Sequence, residues 1–336
     1  MSFLSRRWSH GSAWGLAPGA ALSLLLLLIS PLLVMAGSHD QDPNDLYLPA
    51  QPVVADGFSQ TRWADIGTGL TAVRQTRHPS ALHSAPGAVI VVGGRFSLDD
   101  PLQANIHHVT NRVYQLFYAQ GYPADKITYL ATDLSLDANG DGEADVDAMP
   151  TRSNLSTAIT DWALSRVTAD RSLMLYLIDR SDPNLFYLDR TVGESFSPAD
   201  LDGWLAQLES AVPGLTTYVV IEQCYAGSFI GVSAAASRPG RLILASTSAD
   251  GLAYASTTGA VFSDALLDAL NPGINLADAF EQARVVTMLI HPHQTPWLDG
   301  NGDGIPNEIA DTQAAAQHIL FPGTTQIRLY FPRIGR

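Results

Sequence analysis

The sequence predicts an α/β domain with a mainly parallel central sheet and helices on both faces. Two observations lead to it. Short, continuously apolar runs alternate with longer segments of helical spacing, which is the pattern of strands buried on both faces and joined by helices. The chain has 336 residues, 46% of them hydrophobic, ample for such a layered core.

The elements follow in order. Ala88-Val89-Ile90-Val91-Val92, closed by Gly93-Gly94, reads as a buried strand. Asn105 to Gln120 has helical spacing, with Val109, Val113, Leu116 and Phe117 on one stripe. Lys126 to Leu130 is a second strand, Ser153 to Val167 a helix and Ser172 to Ile178 a third strand. Phe186-Tyr187-Leu188 is a short strand or hairpin arm. Ser197-Pro198 opens a helix to Ala211 as cap and first-turn proline. Thr216 to Ile221 and Arg241 to Ala245 are further strands, followed by helices near Ser263 to Leu270 and Leu276 to Ile290. Ile327 to Phe331 is a final apolar segment suited to a sheet edge. Residues 37 to 85, rich in Asp, Pro, Gln, Ser and His without sustained periodicity, read as a loosely structured extension before a domain over 86–336.

Residues 1–36 carry Arg6 and Arg7, then an apolar stretch from about Leu16 to Met35 ending Val34-Met35-Ala36. This is the layout of a secretory signal, so export to the periplasm or the outside is expected. The rival is an uncleaved membrane anchor, because the stretch is nearly long enough to span a bilayer. Formal net charge is −14, and removing that leader takes it to about −16. Such acidity argues against nucleic-acid binding and against docking on anionic lipid. Cys224 is the sole cysteine. An internal disulfide is therefore excluded, and the thiol is either buried and inert or free and reactive.

Cys224 follows the strand Thr217-Tyr218-Val219-Val220-Ile221-Glu222-Gln223 and precedes Tyr225-Ala226-Gly227-Ser228. One strand earlier, Leu173 to Ile178 is followed by Asp179-Arg180-Ser181-Asp182-Pro183. In open parallel sheets, ligands bind beyond the carboxyl ends of the strands. These two segments resemble the paired motifs of the caspase, legumain, clostripain and gingipain superfamily of cysteine peptidases, closest to bacterial legumain-like proteins. There the first motif reads Asp-His-Gly-Gly-Pro and the second Asp-Ala-Cys-Tyr-Ser-Gly. The resemblance covers roughly Ala88 to Asp303, includes Ala245-Ser246-Thr247-Ser248-Ala249-Asp250 after the fifth strand, and implies a caspase–hemoglobinase sandwich. It also implies Cys224 as the nucleophile position and Arg180 as the position of the family histidine, with Asp179, Ser181, Glu222, Gln223 and Gly227 as cleft neighbours.

Arg180 cannot accept a proton at neutral pH, so the acid–base half of the dyad is missing. Three readings follow: Cys224 as a small buried residue on an inert scaffold, a degenerate homologue that binds a peptide or protein without turnover, and an endopeptidase using a substitute base. The second is the expectation carried forward. His107 or His108, after the first strand, are the candidates for the third, with His291 and His293 after the last long helix. Arg180 either faces the sulfur and lowers its pKa or pairs with a carboxylate such as Asp179, Asp182 or Glu222; pairing is expected, because buried arginine needs such partners.

Two acidic loops carry oxygen ligands at alternating positions. The first has Asp137, Asn139, Asp141 and Asp145; the second has Asp299, Asn301, Asp303, Asn307 and Asp311. Calcium takes six to eight oxygens, and this spacing curls a glycine-containing loop around one ion. Position twelve, where an EF-hand has glutamate, is Ala148 or Ala310. The loops look more like the Asp-rich calcium loops of extracellular repeat proteins, including thrombospondin type-3 repeats. Structural calcium of modest affinity is expected, with the first loop on the sheet edge that carries Cys224. Neither loop has the His and Cys set of catalytic zinc, and no phosphate-binding glycine loop or organic cofactor motif is present.

Overall fold

The computed structural model describes residues 85–231 and 235–323. The leader, the extension over residues 37–84 and the segment Ile327 to Phe331 lie outside the described residues. Six strands form one sheet: β1 (Ala88–Gly93), β2 (Ile127–Leu130), β3 (Leu173–Ile178), β6 (Thr217–Glu222), β7 (Arg241–Ala245) and β8 (Trp297–Asp299), in the order β2-β1-β3-β6-β7-β8. All neighbours are parallel except β7 and β8. A separate hairpin pairs β4 (Phe186–Asp189) with β5 (Glu194–Phe196).

Alternation along the strands sorts the core into two layers. Val89, Val91, Met174, Tyr176, Tyr218 and Val220 pack with one helical layer. That layer comprises α1 (Gln103–Ala119), α4 (Val261–Ala269) and α5 (Leu276–Ile290). Ile90, Val92, Leu175, Leu177, Val219 and Ile221 face the other side. There α2 (Arg152–Thr157), α3 (Pro198–Ala211) and the aromatic hairpin cover them. Each strand residue meets apolar partners on its own face, so the runs are continuously apolar rather than alternating.

Four details depart from the sequence expectation. The helix expected over 153–167 is α2 followed by a π turn (Ala158–Trp162) and a 3-10 turn (Ala163–Ser165). Within it the Thr160 hydroxyl donates to the Ser156 carbonyl at 2.9 Å, a competitor for the regular ladder. β5 and β8, of three residues each, and α6 (Ile309–Ala315) carry too few residues for a periodic signal. The Ser197 cap is as expected: its side chain accepts from the Asp200 amide and Asp200 reciprocates, closing a capping box. The parallel sheet with helices on both faces is the architecture expected from the sequence.

Candidate active site

β3 and β6 are adjacent and parallel, with Ile178 opposite Glu222. Their last residues deliver the two motifs to one edge. The Asp179 amide donates to the Glu222 carbonyl at 3.2 Å, and continuation of that register sets Arg180 beside Cys224. The Ser181 hydroxyl donates to the Cys224 carbonyl at 2.7 Å. After Cys224 the chain turns sharply, with Tyr225 in the left-handed region at φ 58°. Gly227 is required there: a Cβ would meet the Ala249 amide at 2.6 Å and the Trp297 ring at 2.7 Å. The Tyr225 amide donates to the Gly251 carbonyl and the Gly227 amide to that of Thr247. These bonds fasten the cysteine turn to the segment after β7.

Cys224 is 4% exposed, and its S–H donates to the Ala253 carbonyl at 3.8 Å. Burial pushes the thiol up to about 11, against the Ala253 contact and the positive charge of Arg180. Arg180 is 7% exposed. Its Nη1 lies 3.5 Å from Asp100 Oδ1, and its guanidinium carbon is 4.5 Å from the centroid of Phe96. The arginine thus pairs with a carboxylate, as expected, but with Asp100 on the loop between β1 and α1. The partners considered from the sequence were Asp179, Asp182 and Glu222. Asp182 instead accepts from the Tyr187 hydroxyl at 2.5 Å. Glu222 accepts from the Ser263 amide at 2.8 Å and hydroxyl at 2.7 Å, and burial raises it to about 7.

Asp179 is fully buried, and no side chain donates to its carboxyl oxygens. Burial raises its pKa well above the carboxylate range, opposed by the Arg180 backbone amide. Gln223 is locked through its backbone: its amide donates to the Ser246 hydroxyl, which donates back to the Gln223 carbonyl. Gln294 ties the outer loop in, donating to the Ser246 carbonyl and accepting from the Tyr254 amide.

The candidate bases are held elsewhere. His107 contacts Gln103 at 2.9 Å, with Asp133 and Arg95 as the charges acting on it. His108 and His293 are exposed. His291 stacks on Tyr254 with centroids 4.2 Å apart; Tyr254 is the neighbour in sequence of Ala253, the thiol's acceptor. The residues that sequence reasoning missed are Asp100, Phe96, Ala253 and Ser263. Only Asp100 gave a signal, as part of Asp99-Asp100-Pro101 on the loop leaving the first strand.

The two acidic loops share one backbone design. Asp137 accepts from the amides of Gly140 and Gly142, as Asp299 does from Gly302 and Gly304. Asn139 and Asp141 accept from the amides two residues on, as Asn301 and Asp303 do. Asp145 closes the first loop on the amides of Ala138 and Asn139; Asp311 closes the second on those of Gly300 and Asn301. Among the described residues, Asp299, Asp303 and Asp311 each present an oxygen within 4.8 Å of the others, a fit to a hard cation. Asn307 accepts from the Leu298 amide and donates to the Pro296 carbonyl, closing the outer edge of β8.

The first loop also lies away from Cys224, contrary to expectation. It folds back along α1, where Gln115 donates to the Ala138 carbonyl at 2.6 Å. β1 and β3 separate β2 from β6, roughly 14 Å at the usual strand spacing.

No protein-family model matches the chain, and no curated protein matches it. Among solved structures it is similar to caspase-1 from Spodoptera frugiperda, with a TM-score of 0.47 and 12% identity, covering 73% of this chain and 93% of that one.

Proposed function

We propose that this chain is an exported caspase/legumain-like cysteine-peptidase homologue that binds a peptide or protein at the Cys224 edge without ordinary turnover. Arg180 is the observation that carries the reading. It stands beside Cys224 where the resembling motif has histidine, and its guanidinium is engaged by Asp100 and Phe96. A guanidinium cannot shuttle a proton, and a buried thiol held up at about 11 is a poor nucleophile at neutral pH. Screening a diverse peptide library for ligands that slow alkylation of Cys224 tests the binding half. Bound peptides that protect the thiol are expected; a library in which nothing protects it contradicts the reading.

The second reading is an endopeptidase with a substitute base. His291 favours it over His107, because it stacks on the residue next to the thiol's acceptor. Cleavage lost in both Cys224→Ala and His291→Gln would establish it.

Calcium is the proposed structural ion, with the second loop the better site because Asp299, Asp303 and Asp311 converge. At that site Asp311 supplies the closing carboxylate that position twelve, Ala310, lacks. Calorimetric titration of the calcium-free protein tests it, and Asp303→Asn is expected to remove the tighter isotherm. For localisation, the mature protein is expected in the exported fraction, and recovery in the cytoplasmic fraction contradicts export.

A further inference from the structure

A groove of about 420 Å³ opens between α5, α6 and β8. Its lining includes the buried Ala277, Phe280 and Leu298, with Glu281, Arg284 and Thr312 towards solvent. Residues three or four apart on a helix share a face. Val285 and Leu289 therefore continue the line of Glu281 along α5, and Ile309 stands one turn before Thr312 on α6. The outward face of a helix is normally polar. Here Leu289 is 81% exposed, Ile309 78% and Val285 53%. Large apolar side chains exposed together beside a groove mark a surface that another segment covers. The charge around them is acidic, with Asp278 and Glu281 exposed on α5 and Glu308 exposed at the start of α6. Glu281 pairs with Arg284. Asp278 and Glu308 form no ion pair among the described residues.

A segment of matching chemistry is tethered close by. The Gly273 amide, just before α5, donates to the Phe321 carbonyl at 2.7 Å, and the Leu276 amide, in the first turn, to that of His318 at 2.8 Å. Gly323, the last described residue, lies against Gly273, where a Cβ on it would stand 3.4 Å from the Gly273 Cα. Residues 324–336 follow from this point, at the start of α5. Extended, they reach about 40 Å, against about 22 Å for the length of α5. Their Ile327, Leu329 and Phe331 alternate with Arg328 and Tyr330, and Arg328, Arg333 and Arg336 are accompanied by no acid. An alternating apolar face and a positive charge complement both properties of the groove. Tethering keeps the local concentration of this segment high. The extension over residues 37–84 joins instead at Ala85 beside β1, and β3, β6 and β7 lie between β1 and β8. We propose that residues 324–336 dock along the α5–α6 groove of their own chain. Leu329 and Phe331 cover Val285, Leu289 and Ile309, and Arg328 faces Asp278 and Glu281. This interaction is independent of the binding role at the Cys224 edge.

The test uses the full chain carrying Leu289→Cys, which puts a thiol on the exposed face of α5 while Cys224 serves as the buried reference. Its alkylation by iodoacetamide is compared with that of the same chain carrying Ile327→Ser, Leu329→Ser and Phe331→Ser. The thiol at position 289 is expected to react at least about tenfold faster in the serine chain, the ratio for a groove covered about nine-tenths of the time. A slow Cys224 in both chains shows that the fold is kept. A benzophenone side chain placed at Phe331 gives a second readout that needs no serine change. Its photo-cross-links, mapped by mass spectrometry, are expected within residues 281–289 or 309–312 of the same chain. Equal alkylation rates in the two folded chains overturn the proposal, as do cross-links confined to other elements. Cross-links that join two chains, seen as a dimer on a denaturing gel, overturn it in favour of a second copy as the occupant.

Discussion

At the scale of single residues, the site is governed by burial. Cys224 sits in a turn that excludes water, so its thiol is held far above an ordinary cysteine near 8.5. Native protein at pH 7.5 is therefore expected to react with iodoacetamide about 100-fold more slowly than denatured protein, the order implied by a thiol raised to about 11. Arg180→Gln is expected to raise the thiol further, because the arginine lowers it. A wild-type thiol that titrates near 7 would contradict this. Glu222 gives a pH signature. Its folded value of about 7 lies above the 4.5 of the free group, so the folded state holds its proton more tightly. That contribution to stability is complete below about 4.5 and is lost as pH rises through about 7, on the order of 3 kcal/mol. Denaturant titrations of wild type and Glu222→Gln across pH 4 to 8 check it: the difference between them should change across that window. The positions of Cys224 and Arg180 were legible because each is fixed by the end of its own apolar strand. Asp100 was not, since its contact with Arg180 spans 80 residues and no local pattern encodes such a pair.

At the scale of elements, buried charge joins apolar packing in tying helix to sheet. Arg241 opens β7 with a fully buried side chain. It bonds Glu209 through Nε at 2.6 Å and Nη2 at 2.7 Å, and Asp202 through Nη1 at 2.9 Å. Both acids belong to α3, so this arginine fastens helix to sheet. Arg241→Ala is expected to cost about 3 kcal/mol, the lower end for breaking a buried pair, because the acids keep some access to water. Ser197→Ala, which removes the cap of the same helix, should cost about 1 kcal/mol. Urea unfolding ranks the two, and a larger loss from the cap would contradict the assignment. The long elements were legible from periodicity and capping. β8 was not, because its three residues pair only through β7, and Asn307 closes its far side. An alternating acidic pattern specifies a curled loop, but not which oxygens the backbone will claim.

At the scale of the whole molecule, the sheet brings the two motifs together while separating the acidic loops. One loop lies along α1 beyond β2, and the other follows β8 at the opposite edge. Calcium is therefore expected to stabilise the fold from its margins rather than to shape the thiol's surroundings. At a concentration 100 times the dissociation constant, one site adds about 2.7 kcal/mol. Thermal unfolding with calcium and with chelator should differ accordingly, and Asp303→Asn should remove most of the difference. An unchanged midpoint would contradict calcium as a structural ion. The central claim is that the Cys224 edge binds without cleaving, and it is tested most directly by turnover. Wild type, Cys224→Ala and the double variant Arg180→His with Ser181→Gly are incubated with one diverse peptide library and the products read by mass spectrometry. No cleavage by wild type beyond the Cys224→Ala background is predicted, with any cleavage confined to the double variant. Wild-type cleavage that disappears in Cys224→Ala would contradict the claim.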